Sequence, residues 1–476
     1  MSIENLEQIQ QLTEVISVEC FTIYSNDIVG RIDPYYYKPY FFNCFDELQK
    51  SKFKIEYLEN VCTKVTDGTH FTPKYEASGV PFLSVKDVRE NIIFFDDVKF
   101  ISNEEHKNLI KRCKPEPGDI LLTKVGTVGL ASVIPKEAPD FSIFVSVALL
   151  KVDSEKVNPK YICGYLNSRF TAFQIDRALK GIGVPDLHLE DIKQILIPIP
   201  PIETQNKIAR LIDEYLAIKV SKEQEIRELL VSIDTYINDE LDINIPILDD
   251  KSIYTVSSEF LQNTRHDPYY YQPKFKEIEN AIVKGKFETK SIGAVLSFNE
   301  TLEDLSRYDQ IRYIDLASIK KDTGSVNEIS ILNPAEAPSR ARRKLEYGDL
   351  LVSGLGGSLQ SIAIFDKHEN DFIASTGFHI IKKSDNYNNL YLWALLRSSL
   401  FQLLLNREAT GAIMPSISRD SLSDIRIPFP PLSIQNKISE EVRKRITKAE
   451  QLQNEAAEEL ERTKKQVEIL IIEGYP

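Results

Sequence analysis

Signatures of several common protein classes are missing from this sequence of 476 residues. No stretch approaches the ~20 consecutive apolar residues that a membrane-spanning helix needs. The opening residues, MSIENLEQIQ, lack the charged-then-apolar order of a secretion signal. The five cysteines are odd in number and include no Cys-x-x-Cys pair. This usage argues against a disulfide framework or a zinc ribbon and is typical of reduced thiols in a cytoplasmic protein.

Motifs that hold nucleotides, metals or catalytic groups are also missing. There is no Gly-x-x-x-x-Gly-Lys-Ser/Thr loop, and Gly354–Gly357 fails as Gly-x-Gly-x-x-Gly because Leu359 replaces the last glycine. Asn158–Tyr161 is only superficially similar to the Asn-Pro-Pro-aromatic segment of adenine methyltransferases, and no glycine-rich cofactor loop accompanies it. The six histidines show no metal-binding spacing. We therefore expect no catalytic residue, no metal and no cofactor in this chain.

The composition is that of an ordinary globular protein with an acidic balance. Hydrophobic residues make up 42% and charged residues 27%, and the length is about three times that of a typical ~150-residue domain. The net charge of -13 argues against binding of nucleic acid through bulk electrostatics alone. It leaves open a DNA-binding protein that borrows basic surface from partner subunits.

The sequence is a duplication. Arg31–Pro39 recurs 234 residues later as Arg265–Pro273, and Gly118–Leu121 recurs 230 residues later as Gly348–Leu351. The block Ile197–Ile208, with its Pro-Pro and Gln-Asn-Lys-Ile, also recurs at the 230-residue offset. In the stretch ahead of that block, Gly181 and Pro185 align with Gly411 and Pro415. Four matches in the same order predict two copies of one structural unit.

Each copy changes character once, from short strand-like runs to a helix. The expected strands are Phe82–Val85, Ile120–Lys124 and Phe144–Val152 in the first copy and Ile311–Ile314, Leu350–Ser353 and Phe378–Ile381 in the second. We predict an α+β protein with two mixed α/β domains, each followed by a long helix. The first domain is expected at 1–200, including an N-terminal helical segment, and its helix at 201–245. The second domain is expected at 246–430 and its helix at 431–476.

Both predicted helices carry an apolar stripe that would be exposed to water on an isolated helix. We expect the two helices to pair as an antiparallel coiled coil; the alternative is that each covers only its own domain. The stripe residues expected to serve in helix pairing and partner docking are Ile208, Leu211, Tyr215, Ile438, Val442, Ile446 and Leu460.

This order of elements resembles the specificity (S) subunit of type I restriction-modification systems over essentially the whole chain. Asp67–His70 with Thr72 and Pro73 is similar to the opening of that family's target recognition domains, and Gly118–Gly126 to a recurrent central stretch. Pro338–Arg342 and Ala374–Phe378 resemble a common variant of the same domain. The second copy departs from the first because it lacks the Asp-Gly-Thr-His segment.

The resemblance implies a subunit without a catalytic site. Its two recognition domains would each read one half of a bipartite double-stranded DNA target, while the paired helices set the spacer and dock two DNA methyltransferase subunits. S-adenosylmethionine would be bound by those subunits, and ATP and Mg²⁺ would be used by partners that include a restriction and translocase subunit. A membrane partner is not expected.

Residues that could contact DNA are polar or basic and lie near predicted strand ends or loops. Arginine is favoured because its planar fork can address guanine O6 and N7. The expected DNA-contacting residues are Thr69, His70, Lys74, Lys86, Thr123, Lys124, Lys180 and Gly181 in the first copy and Ser339, Arg340, Arg342, Arg343, Ser353, Thr376 and Gly411 in the second. The alternatives are a solvated basic turn balanced by Glu336 and Glu346, a structural turn at Asp67, and loops that the fold requires.

The tyrosine blocks Tyr35–Tyr37 and Tyr269–Tyr271 could stack on bases. Because they stand just before each globular region, we instead expect them to anchor the incoming chain. Two rival functions remain at this stage. One is a duplicated protein-binding scaffold without sequence-specific DNA binding, and the other is a solitary enzyme with an unrecognised site.

Overall fold

The protein, represented here by a computed structural model, is described at residues 21–23, 28, 30–179, 183–245, 248–258, 265–411 and 413–474. The chain forms two compact units, Met1–Lys219 with Ala457–Pro476 and Val220–Ala456. The predicted N-terminal helical segment, together with Lys180 and Gly181, lies outside the described residues.

The first unit combines small sheets with helices. Its elements, which end in a helix that continues into the second unit, are α1 (Pro39–Gln49), β1 (Lys54–Tyr57), β2 (Cys62–Asp67), β3 (Val80–Leu83), β4 (Val88–Arg89), β5 (Ile92–Ile93), β6 (Lys99–Ile101), α2 (Asn103–Leu109), β7 (Ile120–Thr123), β8 (Ala131–Val133), β9 (Ser142–Ile143), β10 (Val147–Val152), α3 (Pro159–Leu166), α4 (Arg169–Ala178), α5 (Leu189–Lys193), β11 (Leu196–Ile199) and α6 (Ile202–Leu241). The main sheet has the order β2-β10-β7-β8, and a second sheet has the order β6-β3-β9. Strands β1 and β11 pair with each other, as do β4 and β5.

The second unit repeats this plan. Its elements are α7 (Pro273–Lys284), β12 (Thr289–Ser291), α8 (Ile292–Val295), β13 (Phe298–Asn299), β14 (Ile311–Ile314), β15 (Ser330–Leu332), β16 (Ala341–Lys344), β17 (Leu350–Ser353), β18 (Ile362–Ile364), β19 (Phe372–Ser375), β20 (Phe378–Ile381), α9 (Asn389–Arg397), α10 (Ser399–Glu408), α11 (Arg419–Asp424), β21 (Arg426–Pro428) and α12 (Leu432–Glu473). The main sheet, β13-β20-β17-β18, corresponds to the first unit's main sheet. The second sheet, β15-β14-β19-β16, has one strand more than its counterpart.

The predicted strands of the second copy have the bounds that the structure shows, and those of the first copy are correct to within a few residues. The reason is that these strands are rich in apolar residues, and every residue of β7 and of β17 is buried. In both copies a glycine with positive φ precedes the strand, Gly118 at 91° and Gly348 at 90°. The repeated Gly-Asp before these strands therefore reflects a turn that favours glycine.

The repeated Gln-Asn pair fixes the start of each long helix. The buried Gln435 donates from Nε2 to the carbonyl of Pro430 at 2.8 Å, and its Oε1 accepts from the backbone N–H of Asn388 at 2.8 Å. Asn436 accepts from the Asn388 side chain, also at 2.8 Å. Since Asn388 caps the N-terminus of α9, the motif joins α12 to the helices of its own unit.

The first unit has the same arrangement. Gln205 donates to the carbonyl of Pro200 at 2.8 Å and accepts from the backbone N–H of Asn158 at 2.8 Å. Asn206 accepts from the Asn158 side chain at 2.8 Å. The Gln-Asn motif is therefore structural in both copies.

The segments with the tyrosine blocks are held against the end of a helix. The Arg31 guanidinium donates to the carbonyls of Arg177, Ala178 and Leu179 at 3.0–3.2 Å, where α4 ends. The Tyr37 hydroxyl donates to the carbonyl of Arg31 at 2.6 Å.

The second copy repeats these contacts. Arg265 donates to the carbonyls of Arg407 and Ala409, and the Tyr271 hydroxyl donates to the carbonyl of Arg265 at 2.7 Å. These bonds support the predicted anchoring role of the tyrosine blocks.

The long helices α6 and α12, of 40 and 42 residues, run antiparallel within each unit. In the second unit Lys437 binds Glu240 at 2.6 Å, and Arg445 donates to the carbonyl of Ser232 at 2.6 Å. In the first unit the apolar core joins residues of α6, such as Ile212, to residues near the end of α12, such as Val467. The predicted antiparallel pairing is confirmed.

The helices also cover their own domains. Ile438 and Val442 of α12 share one core with Tyr391 and Leu395 of α9. The alternative that each helix covers only its own domain is therefore wrong, because the stripes serve the helix pair and the domain together.

Candidate nucleic-acid interface

A basic segment beside a sheet of the second unit, Ser339–Lys344, is here called the arginine edge; Ser339 and Arg340 are exposed, and Arg342, Arg343 and Lys344 are partly buried. It contains β16, which pairs with β19 at the border of the four-stranded sheet. The register shifts between Ala341 and Arg343, so Arg342 is the extra residue of a bulge. A bulge turns a side chain out of the regular alternation of a strand, and bulges are frequent beside functional sites.

Arg340 is exposed but held in place. Its side chain is 61% exposed, yet Nε donates to the Tyr313 hydroxyl at 3.1 Å and Nη2 lies 3.5 Å from a carboxylate oxygen of Asp315. Its carbonyl accepts from the backbone N–H of Thr376 at 2.7 Å. A guanidinium that is positioned in advance loses less conformational freedom when it binds a base or phosphate.

The neighbouring arginines differ in orientation. Arg342 is partly exposed, and its Nε makes a long hydrogen bond of 3.4 Å to the carbonyl of Ser339. Arg343 faces inward: its Nη1 donates to the carbonyl of Asn299 at 3.4 Å, while its Nε is buried and has no hydrogen-bond partner among the described residues. Arg340 and Arg342 are therefore the accessible forks of this edge.

The other predicted residues of the second unit fall into two groups. Ser339, Thr376 and Gly411 are exposed, and Gly411 has a φ of +122°, which favours glycine. Ser353 is corrected: it is 1% exposed, and its hydroxyl accepts from the backbone N–H of Leu355 at 3.1 Å. Ser353 shapes a turn and is not open to DNA.

In the first unit the predicted loop surrounds a buried carboxylate. Asp67, whose side chain is 3% exposed, ends β2 and accepts from Arg112 Nη2 at 2.6 Å. His70 Nε2 lies 3.4 Å from the same carboxylate oxygen, and Lys124 Nζ lies 3.8 Å from the other. Lys124 also lies 3.4 Å from Asp186. This cluster, Asp67 with Arg112, His70 and Lys124, is called the Asp67 cluster below.

Three of the contact residues predicted in the first unit lie at the surface. His70, Lys74 and Lys86 are exposed, and Lys86 donates to the carbonyl of Asp97 at 3.3 Å. Lys180 and Gly181 lie outside the described residues.

Three predictions in the first unit are corrected. Thr69, Thr123 and Lys124 are 7%, 0% and 5% exposed. The Thr123 hydroxyl accepts from the backbone N–H of Leu130 at 2.9 Å. Their polar groups serve the fold and hold the cluster instead of meeting DNA.

Arg112 was not predicted as a contact residue, although its side chain is 53% exposed. It stands in a run, Lys111–Lys114, that looks like an ordinary charged turn. The signal that identifies it is the 230-residue offset of the duplication, which aligns Arg112 with Arg342.

The residues predicted for partner docking are mostly inside the protein. Ile208, Tyr215, Ile438, Val442 and Ile446 are buried. Leu211 and Leu460 are partly buried. For the five buried residues the docking prediction is corrected, because their side chains are already covered by the helix pair and its domains. For Leu211 and Leu460 the docking role stays a prediction. The large apolar side chains that are exposed on the long helices are instead Ile202, Ile218, Val220, Val231, Leu432 and Ile469.

The described residues offer little for covalent or metal chemistry. Burial raises the pKa of the Cys62 and Cys163 thiols to about 12 and that of Cys113 to about 11, so these cysteines stay protonated and poorly nucleophilic near neutral pH. Among the residues described, no group of three or more His, Cys, Asp or Glu side chains could hold a metal ion. In the same part of the chain, no helix has the length and hydrophobicity to cross a membrane.

Comparison with known proteins decides the family. Residues 50–231 and 301–462 both match the type I restriction modification DNA specificity domain. The chain belongs to this family. The first matched segment spans β1 to β11 and the first part of α6, and the second spans β14 to β21 and the first part of α12, so the duplication seen in the sequence is a duplication of this domain.

Two curated relatives are specificity subunits of type I restriction enzymes. The chain is 25% identical to the EcoBI subunit of Escherichia coli over 33% of this chain and 32% of that protein. It is 23% identical to the MjaVIII subunit of Methanocaldococcus jannaschii over 62% of this chain and 65% of that protein. In both cases the match covers less than two thirds of the relative's own length.

A similar solved structure is the type I restriction-modification S subunit from M. genitalium. It is 12% identical, covers 88% of this chain and 96% of that one, and superposes with a TM-score of 0.46.

Proposed function

We propose that this chain is the non-catalytic specificity subunit of a type I restriction-modification complex. Each of its units reads one half of a bipartite double-stranded DNA target. The second unit uses Arg340 and Arg342 of the arginine edge, and the first uses the exposed side chains around Asp67.

The observation that carries this proposal is the duplicated specificity domain with an exposed, pre-positioned arginine at a sheet border. Arginine forks distinguish guanine in the major groove, whereas contacts to phosphates only position a protein. Two similar reading surfaces in one chain suit a target with two separate halves. The helices α6 and α12 would set the spacer, since 40 residues of helix extend about 60 Å, more than one turn of DNA at about 34 Å.

The remaining functions of the complex are proposed to lie on partner chains. Two DNA methyltransferase subunits would bring S-adenosylmethionine, and restriction and translocase subunits would use ATP and Mg²⁺. The whole complex would act on DNA in the cytoplasm. The net charge of -13 supports a further point: the chain alone should bind DNA weakly and need its partners to enclose the duplex. Tight sequence-specific binding by the isolated chain at physiological salt would contradict this.

The arginine edge is tested by the double variant R340Q/R342Q in the assembled complex. We expect the complex to form with unchanged composition and to lose or relax discrimination in one half of the target, because two forks that address base edges are removed. The measurement is the rate of methyl transfer to duplexes that differ from the target at single positions in either half.

The matched control is K276Q/K367Q, which removes the same number of positive charges from exposed positions of the second unit. If this control relaxes the same half-site, the effect is bulk charge. If R340Q/R342Q still requires both half-sites as strictly as the unaltered chain, the assignment of the arginine edge is wrong.

A further inference from the structure

Arg112 occupies in the first unit the sequence position that Arg342 occupies in the second. Each arginine stands six residues before the glycine of the Gly-Asp turn, at Gly118 and Gly348. The residues that follow also align, since Lys114 corresponds to Lys344 and Glu116 to Glu346. The duplication therefore kept a basic residue at this position although the local structures differ, with a strand at Arg342 and a turn after α2 at Arg112.

The surroundings of the two arginines correspond as well. Arg112 Nη1 donates to the carbonyl of Gly68 at 3.1 Å, directly after β2. The carbonyl of Arg342 accepts from the backbone N–H of Glu303 at 2.8 Å, shortly after β13. Strands β2 and β13 are the matching edge strands of the two main sheets, so each arginine lies beside the loop that leaves this strand.

Arg112 is oriented by a rigid anchor. One of its terminal nitrogens binds the buried carboxylate of Asp67 at 2.6 Å and the other binds the Gly68 carbonyl. A guanidinium carries five N–H groups, so the others stay available, and with the side chain 53% exposed they are open to a ligand. This arrangement fixes the plane of the fork, as Tyr313 and Asp315 fix that of Arg340.

The ion pair with Asp67 uses only part of the Arg112 guanidinium. Asp67 is buried, and Lys124 Nζ, in a side chain 6% exposed, lies 3.8 Å from its other carboxylate oxygen. Arg112 binds this carboxylate through one terminal nitrogen while 53% of its side chain stays exposed. With the exposed imidazole of His70 beside it, the guanidinium also presents hydrogen-bond donors outward over the buried carboxylate, which is a suitable surface for the acceptor edge of a guanine.

We infer that Arg112 reads a base edge in the half-site served by the first unit, with Asp67 as its positioning residue. This inference rests on the proposed function and names the counterpart of Arg342 in the other half of the target. Arg112 and Arg342 then form a pair of equivalent readers, one in each copy of the specificity domain.

The test uses the complete complex with R112Q, R112K, R342Q or the matched control K111Q, a neighbouring exposed lysine. Modified bases are mapped across the host genome, and methyl transfer is timed on target duplexes with single substitutions. For R112Q we expect discrimination in one half-site to fall about tenfold or more, as for loss of a bidentate arginine–guanine contact. R342Q should relax the other half-site, and K111Q neither.

R112K separates base recognition from structure, because lysine keeps the charge and lacks the planar fork. A base-reading role predicts the same relaxation in R112K as in R112Q. Full discrimination in R112K would overturn the inference, and R112K decides the matter if R112Q does not assemble.

The remaining results of the R112Q experiment distinguish a failure of this inference from a failure of the proposed function. A uniform loss of methylation in R112Q with an unchanged target would identify a phosphate contact and overturn the base-reading assignment. If the unaltered complex has a bipartite target and R112Q reads it unchanged, only this inference fails. If the unaltered complex has no bipartite target, the proposed function itself fails.

Discussion

Removal of the buried glutamine at the start of α12 should destabilise the second unit strongly. In Q435A the Pro430 carbonyl loses its 2.8 Å donor inside the protein, and the backbone N–H of Asn388 loses its 2.8 Å acceptor at the N-terminus of α9. A buried polar group left without a partner costs about 1–3 kcal/mol. Since the Asn388 N–H is only partly buried, we expect a total loss of about 2–4 kcal/mol in the free energy of unfolding.

The assay is urea unfolding followed by tryptophan fluorescence. Trp393 is the single tryptophan of the sequence and lies buried in α9, in the core that α12 completes. The control is N436A, whose lost hydrogen bond to the Asn388 side chain is exposed and should cost about 0.5–1 kcal/mol. If Q435A costs no more than N436A, the explanation of the repeated Gln-Asn motif is wrong.

Two further predictions concern the helix pair and pH. I446D places a charge in the core shared by α6 and α12 and should destabilise the second unit by at least about 3 kcal/mol, which thermal unfolding measures. V231D, at an exposed apolar position on α6, should keep the fold and weaken methyltransferase docking, which co-purification measures. Recovery of methyltransferase with V231D at the level of the unaltered chain would refute the docking surface. Burial lowers the pKa of His379 below its usual 6.5, so the folded protein binds fewer protons there than the unfolded chain does. The contribution of the neutral, buried imidazole to stability should therefore be complete above pH 6.5 and decline as the pH falls below 6.5. H379N should cost more stability at pH 7.5 than at pH 5.5. An equal cost at the two pH values would contradict this prediction.

Much of the architecture could be predicted because it depends on patterns that survive in one sequence. The duplication was visible as repeated anchors, and strands such as Leu350–Ser353 were visible as apolar runs. The helices were visible because a wide apolar stripe follows each Pro-Pro. What the stripe could not reveal was which surface covers it, so residues such as Ile438 were assigned to partner docking although they are buried inside their own unit.

The site was harder to predict because polarity does not reveal burial. Thr123 and Ser353 lie at or near the ends of predicted strands and looked exposed, yet both hydroxyls accept backbone N–H groups inside turns. Arg112 was missed for the opposite reason: nothing in its own segment distinguishes it from other exposed basic residues. Its alignment with Arg342 at the 230-residue offset and its contact with Asp67, made by residues 45 positions apart, separate it from its neighbours.

If the two specificity domains of this chain read two separate DNA half-sites, a map of modified bases across the host genome will show it, with the chain present and with it deleted. We expect one methylated target made of two defined segments separated by a fixed number of unread positions, and we expect methylation at all such sites to disappear when the chain is deleted. A continuous target, or methylation that persists without the chain, would contradict it.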